Sequence, residues 1–271
     1  MKPTSQRANE SGLSPKRKLL VTPQLALLPL RPTAIIQSNG GKDQSFYFLD
    51  EDRLPIWCKA DSQHRNVRSN EWISTQLAES LEIRTGGWQF VEYDGETYFG
   101  SPHVESASQR LDLFSFLRST DRNTYGGASL NRGLYLGSVI CFDLFINNDD
   151  RHLRNFILST DQSFRRLCAI DFADADLTAL TTDRFPIAGS NTVRLGRDVR
   201  AIHGSFIDGA LGTLDRIEGL APDAFHRIVD SVPGDWLDSI LRDRLNDAWG
   251  SSGFQKRLAS LRAILKNGTL V

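Results

Sequence analysis

The sequence has almost no net charge and no long hydrophobic run. Its 32 lysines and arginines are balanced by 33 aspartates and glutamates, for a net charge of −1 over 271 residues. No overall field or basic stripe therefore attracts nucleic acid, and nothing favours an anionic membrane. The apolar stretch from Leu19 to Leu30 is interrupted by Pro23 and Pro29, so we expect it neither to span a bilayer nor to act as a signal peptide.

Cysteine is also scarce. The chain has three cysteines, Cys58, Cys141 and Cys168, an odd number without CxxC or Cys/His metal spacing. This pattern gives no support for a disulfide framework or a zinc site. We therefore expect three small core residues in a reducing compartment, and a cytoplasmic protein.

The patterning changes along the chain. Residues 1–24 are rich in serine and proline and predict a flexible tail. From residue 33 onwards, short runs of β-branched and aromatic residues alternate with Gly/Asn/Asp turns, which favours an antiparallel meander. Residues 68–83 instead place apolar residues at helical spacing, with Ser69 or Asn70 available as the N-cap.

After Pro102 the composition becomes helical, with a short hairpin between two helical regions and an irregular, activation-like segment over 177–200. We predict a small antiparallel β-rich lobe with one helix over 25–102. A larger, mainly helical lobe is expected over 103–271. The fold class is therefore α+β and two-lobed.

A dense polar cluster, FINNDDRHLRNF, lies between two apolar runs. Asp150 and Asn155 are five positions apart, and Asp171 follows the apolar run CAI. Phosphoryl transfer needs a carboxylate that orients or deprotonates the attacking hydroxyl, and oxygen ligands for Mg²⁺. The kinase template has a catalytic Asp, an Asn five positions later, and a metal-binding Asp opening a DFG triplet. This pattern predicts Asp150 as the catalytic residue, and Asn155 and Asp171 as metal ligands.

Each of these residues also has a simpler interpretation. Asp149 and Asp150 could form a solvated turn, and Asn155 could be a loop-capping amide. His152 is interpreted as structural, because the sequence offers it no metal partner. Two other residues are interpreted as surface or loop-pairing charges: Arg151 and Arg154.

A phosphate-binding lysine is predicted in the β-rich half. Lys59 lies in the strand IWCKA, and Glu71 lies near the start of the next helix. A buried lysine needs a partner, and a pair with Glu71 would leave its ammonium aimed at phosphates. The alternative is a solvent-facing lysine and a glutamate favoured by the helix dipole.

Two backbone segments complete the predicted nucleotide site. The YFGS stretch, with Phe99 and Gly100, falls where a hinge would expose backbone groups to adenine. Glycines between two strands allow backbone N–H groups to approach phosphates. This loop consists of Ser38, Asn39, Gly40 and Gly41.

The chain resembles the HipA-like serine/threonine kinases, which are distantly similar in fold to phosphatidylinositol 3/4-kinases. The matching stretches are WCKA, NEWISTQLAESLEI, YFGS, FDLFINNDDRHLRNF and AIDFADA, within a resemblance over residues 35–265. It implies a protein-kinase-like fold, with Asp150 as catalytic carboxylate, Asn155 and Asp171 as Mg²⁺ ligands, and Lys59 on ATP phosphates, oriented by Glu71. The chain departs from the family pattern at Ala173, and we expect the amino-terminal subdomain of the longer toxin kinases to be missing.

The resemblance implies an ATP- and Mg²⁺-dependent kinase acting on a protein Ser/Thr hydroxyl. Some family members are toxins, so the resemblance also suggests a small helix-turn-helix antitoxin-type protein as a partner. The alternatives are a pseudokinase that only binds, or a kinase for a lipid or small-molecule hydroxyl.

Overall fold

The computed structural model describes residues 29–37, 44–50, 55–62, 66–102, 115, 132–161 and 164–271, and the predicted tail over 1–24 lies outside them. These ranges include seven strands and seven α-helices. The strands are β1 (Ile36–Gln37), β2 (Gln44–Leu49), β3 (Pro55–Lys59), β4 (Gln89–Tyr93), β5 (Glu96–Pro102), β6 (Phe156–Asp161) and β7 (Phe164–Ala169). The helices are α1 (Val67–Ser80), α2 (Arg132–Phe145), α3 (Asn191–Ile202), α4 (Phe206–Gly219), α5 (Pro222–Asp230), α6 (Ser239–Ala248) and α7 (Ser252–Asn267).

The predicted meander is present as β1-β2-β3, and β5 and β4 extend it to an antiparallel sheet of five strands in the order β1-β2-β3-β5-β4. Strands β4 and β5 are joined at Asp94-Gly95, where both residues have positive φ, 53° and 76°. A two-residue loop with positive φ at both positions has a twist that matches that of the two strands it joins. In the β3–β5 ladder, Lys59 is opposite Phe99 and Cys58 is opposite Gly100.

Helix α1 forms as its apolar spacing predicts, but it begins earlier than expected. Its first residue is Val67, so the predicted N-caps Ser69 and Asn70 lie inside the first turn. The Asp61 carboxylate, from the loop after β3, accepts the backbone N–H of Arg68 at 2.8 Å. A distant carboxylate therefore supplies the capping bond that sequence spacing assigned to a local residue.

Two hydrophobic clusters hold these elements together. The smaller one consists of Phe46, Phe48, Ile56, Cys58 and Val91 from the sheet. The larger cluster joins α1 to the helices after residue 132. The protein is therefore a mixed α/β structure in which α1 is packed with the helical half.

The carboxyl-terminal part contains the predicted hairpin, β6–β7, after the apolar helix α2. The prediction of an irregular segment over 177–200 is wrong in its second half, because α3 begins at Asn191. Ser190 caps this helix by accepting the N–H of Val193 at 3.2 Å, and Val193, Gly196 and Val199 form its buried stripe. The three cysteines are buried and form no disulfide. No helix of the described ranges is long and apolar enough to cross a membrane.

Candidate active site

Lys59 lies at the centre of a buried ion network. Its side chain, at the end of β3, is 6% exposed and pairs with Glu71 of α1. Its Nζ atom also donates to Asp171 Oδ1 at 2.7 Å. The structure thus brings together three predicted site residues that are far apart in sequence. The interpretation of Lys59 as a solvent-facing residue is wrong, because its side chain is buried. The two carboxylates supply the partners that a buried ammonium needs.

The charges of this network depend on one another. Burial alone would lower the pKa of Lys59, but Asp171 and Glu71 raise it above its ordinary value. Burial would raise the pKa of Asp171, whereas Lys59 lowers it well below its usual range. Burial raises the pKa of Glu71, against the opposing attraction of Lys59. The lysine therefore stays cationic and the Asp171 carboxylate stays ionised at neutral pH.

Asp171 lies in an unusual backbone conformation. Its φ of +64° is in the left-handed region, where aspartate is tolerated better than most non-glycine residues. Its side chain remains 41% exposed. The amide of Asn70 donates to the carbonyls of Ala173 at 3.2 Å and Ala175 at 2.7 Å. Helix α1 thereby holds the chain that follows Asp171.

Asn155 is the last residue of a short 3-10 helix, Leu153–Asn155, and is 3% exposed. Its Nδ2 donates to the carbonyl of Asp150 at 3.1 Å, as the loop-capping interpretation requires. This bond uses the amide nitrogen and leaves the amide oxygen as an acceptor for another partner. The Asn155 carbonyl accepts the N–H of Ile170 at 3.0 Å, so the loop is connected to the residue before Asp171.

Asp150 has a side chain that is 41% exposed. Its Oδ1 accepts a hydrogen bond from Asn191 Nδ2 at 2.6 Å. Its Oδ2 lies 4.0 Å from His152 Nε2, beyond hydrogen-bond distance. His152 Nδ1 accepts the N–H of Arg154 at 3.2 Å, which agrees with the structural role expected for this histidine.

A buried charge pair that the sequence did not predict lies beneath the polar cluster. Arg151 and Asp143 are fully buried, and the guanidinium donates to both carboxylate oxygens, at 2.7 and 3.0 Å. Arg151 Nη1 also donates to the carbonyls of Asn155, at 2.9 Å, and Ile170. Of the two interpretations of Arg151, loop pairing is right and surface charge is wrong. The available signal was Asp143, a lone acid in the apolar helix α2 that needs a partner.

A second buried arginine was also missed. Arg257 of α7 is buried and donates to the carbonyls of Leu144 at 2.8 Å and Phe145 at 2.9 Å. These are terminal carbonyls of α2, which lack partners within the helix. Its Nη1 also donates to the Thr182 carbonyl at 2.9 Å. Arg257 therefore fixes the end of α2, directly before the polar cluster.

Of the remaining predicted nucleotide-binding residues, the structure describes Phe99 and Gly100, and these two are not part of this network. The backbone of β5 at Phe99 and Gly100 is paired with β3 on one side and β4 on the other. A Cβ atom at Gly100 would lie 2.8 Å from Val91 Cγ2, so packing within the sheet already accounts for this glycine. An adenine contact at these residues stays a prediction. The glycine loop, residues 38–41, lies outside the described residues.

The oxygen atoms of Asp171 and Asn155 fit a hard cation. Within the described ranges no group of three or more His, Cys, Asp or Glu side chains could hold a metal. A carboxylate and an amide oxygen match what Mg²⁺ accepts when water and phosphate oxygens supply its other ligands. The donors present therefore suit a metal that arrives with a phosphorylated ligand.

Known proteins resemble this chain in sequence and in fold. The sequence model of the HipA-like kinases matches residues 33–186. The proinflammatory kinase CtkA of Helicobacter pylori has a similar fold, with a TM-score of 0.56 and 12% identity, covering 86% of this chain and 96% of CtkA. HipA of Shewanella oneidensis MR-1, solved with HipB and operator DNA, scores 0.42 with 14% identity, covering 86% of this chain and 62% of HipA. No curated protein matches.

The family match covers more than half of the chain, from before β1 to beyond Asp171. All five side chains of the predicted catalytic, phosphate and metal sites fall within it: Lys59, Glu71, Asp150, Asn155 and Asp171. The chain therefore belongs to the HipA-like kinase family.

Proposed function

We propose that this protein transfers the γ-phosphoryl group of ATP, with Mg²⁺, to a Ser or Thr hydroxyl of a protein. One observation carries the proposal. The buried ammonium of Lys59 lies between Glu71 on α1 and Asp171 after β7, at 2.7 Å from the Asp171 carboxylate. A lysine held by a helix glutamate and facing a metal-binding aspartate is the arrangement that an active kinase needs.

In the proposed reaction, Asp150 orients the acceptor hydroxyl and takes its proton. The acceptor oxygen forms a bond to the γ-phosphorus, the bond from that phosphorus to the β–γ bridging oxygen breaks, and ADP leaves. Lys59 holds the phosphates, while Asn155 and Asp171 hold Mg²⁺. When bound, the metal neutralises the charge on the phosphate oxygens.

The proposal includes a two-lobed arrangement. Residues 25–102 would form the β-rich lobe and residues 103–271 the helical lobe, with the nucleotide between them. In support, Lys59 comes from the sheet and Asp171 from the helical half, and their side chains meet. The three buried cysteines, which form no disulfide, agree with the proposed cytoplasmic location.

Transfer from γ-labelled ATP into lysate proteins tests the function. Asp150→Ala is expected to lower transfer at least about a hundredfold, the usual scale of a lost general base. Arg154→Ala, at an exposed position in the same loop, is the matched control and should retain activity. Wild-type turnover by a folded Asp150→Ala variant would refute the proposed role of Asp150.

The alternatives give different outcomes in the same experiments. A folded wild type that is stabilised by ATP with Mg²⁺ but transfers no phosphate would be a pseudokinase. Transfer only to lipid or small-molecule hydroxyls would change the acceptor class, although the net charge of −1 gives no support for docking to anionic membranes. A helix-turn-helix partner stays a prediction, tested by co-purification with the product of the neighbouring reading frame.

A further inference from the structure

The first turn of α3 is bonded to the loop that carries Asp150. The buried hydroxyl of Thr192 accepts the N–H of Arg151 at 2.9 Å and donates to the Asn148 carbonyl at 2.7 Å. The Thr192 N–H donates to the Asp149 carbonyl at 3.2 Å. The loop is therefore fixed on α3 from both sides of Asp150. This helix lies beyond residue 186, where the family match ends.

Next to these backbone contacts, one side chain of α3 reaches the carboxylate itself. Asn191 Nδ2 donates to Asp150 Oδ1 at 2.6 Å. We propose that Asn191 is a positioning residue that holds this oxygen, so that Oδ2 is directed at the acceptor hydroxyl. The inference rests on the proposed function, in which Asp150 is the catalytic residue.

The chemistry of an amide suits this role. Asp150 is 41% exposed, so without a partner its carboxylate would rotate among several orientations. A neutral amide donor restricts that rotation without cancelling the negative charge. A lysine or arginine at the same place would form an ion pair and make Asp150 a weaker base. With one oxygen held, the other keeps the fixed direction that proton transfer requires.

The second oxygen is available for this purpose. Oδ2 lies 4.0 Å from His152 Nε2, and the ring's Nδ1 is already used in accepting the N–H of Arg154. The carboxylate therefore has Oδ1 bonded to Asn191, whereas Oδ2 lies beyond hydrogen-bond distance of His152. Oδ2 is accordingly the oxygen that accepts the proton in the proposed arrangement.

A matched control is available at the start of α7. Both helices have a serine N-cap whose side chain accepts the N–H of the third helical residue. This residue is Val193 in α3 and Phe254 in α7. Ser252, like Asn191, is an exposed polar first residue. Substitutions at Ser252 therefore reproduce the helix-start effects of the same changes at Asn191, without a neighbouring Asp150.

The experiment measures kcat, the KM for ATP and the melting temperature of five variants beside Asp150→Ala: Asn191→Ala, Asn191→Gln, Asn191→Asp, Ser252→Ala and Ser252→Asp. Asn191→Ala is expected to lower kcat about tenfold, the scale of one hydrogen bond to a charged group. Asn191→Gln keeps an amide donor and should retain more activity. Asn191→Asp places a second carboxylate against Asp150 and should be the least active. The KM for ATP should stay within about twofold.

The outcomes separate the inference from the function on which it rests. If Asp150→Ala abolishes transfer while Asn191→Ala and Asn191→Asp both keep wild-type kcat, the positioning role is wrong and the proposed function stands. If Asp150→Ala itself keeps full activity, the proposed role of Asp150 and the positioning role of Asn191 are both wrong; if the folded wild type transfers no phosphate, the proposed function is wrong. A loss of kcat that follows the melting temperature alone, with Asn191→Gln no better than Asn191→Ala at equal folded fraction, would also overturn the role of Asn191.

Discussion

The Arg151–Asp143 pair gives the sharpest stability prediction. In Arg151→Met the Asp143 carboxylate loses two charge-assisted hydrogen bonds, at 2.7 and 3.0 Å, and stays at a fully buried position. Breaking such a pair from one side costs about 3–5 kcal/mol. The carbonyls of Asn155 and Ile170 also lose a donor. Because these effects overlap, we expect the total loss to remain about 3–5 kcal/mol, a large part of a typical stability of about 5–15 kcal/mol.

Urea unfolding measures this loss, with Arg154→Met as the exposed control, which should change stability by less than about 0.5 kcal/mol. The double variant Asp143→Asn/Arg151→Met removes the stranded charge and should be more stable than Arg151→Met alone. A loss below about 1 kcal/mol for Arg151→Met, or no recovery in the double variant, would refute the reasoning.

The stability lost in Arg151→Met should depend on pH. Burial raises the pKa of Asp143 above its ordinary value, and Arg151 opposes that shift. Without Arg151 the folded-state pKa rises further above the unfolded value, so protonation favours the folded variant. Its stability deficit should therefore shrink as the pH falls from 8 towards 5 and grow as the pH rises. A deficit independent of pH would show that Asp143 does not bear the lost interaction.

Two other substitutions test packing and carbonyl capping. Gly100→Ala should cost about 1–3 kcal/mol in urea unfolding, because its Cβ would lie 2.8 Å from Val91 Cγ2 and 3.0 Å from Ile56 Cγ2; an unchanged midpoint would contradict this packing. Arg257→Met should cost about 2–4 kcal/mol, because several buried carbonyls lose their donor. A loss in Arg257→Met no larger than that in Lys256→Met, at the exposed neighbouring position, would contradict the capping role.

The sequence could predict those parts of the site that depend on residue type and short spacing. The strand with Lys59, the helix with Glu71, and the five-residue interval to Asn155 follow from local patterns. The structure brings Lys59 together with Glu71 and Asp171, which agrees with the phosphate and metal roles predicted for these residues separately.

The contacts that the sequence did not predict join residues that are far apart in the chain, and local residue spacing carries no information about such pairs. Asn191 lies 41 positions from Asp150, and Arg257 lies 112 positions from Phe145. Helix α3 was overlooked because its apolar stripe is narrow and interrupted by arginines, so that only the Ser190 cap indicated its start. In each case, packing between distant elements decides the partner of a polar group.

The two bonds from Asn70 to the carbonyls of Ala173 and Ala175 have a consequence for motion. If α1 moved away from the sheet, these bonds would move the turn after Asp171 together with the helix. Lys59 would then separate from Glu71 and Asp171 at the same time. States in which only one of these two carboxylates is displaced should therefore be rare.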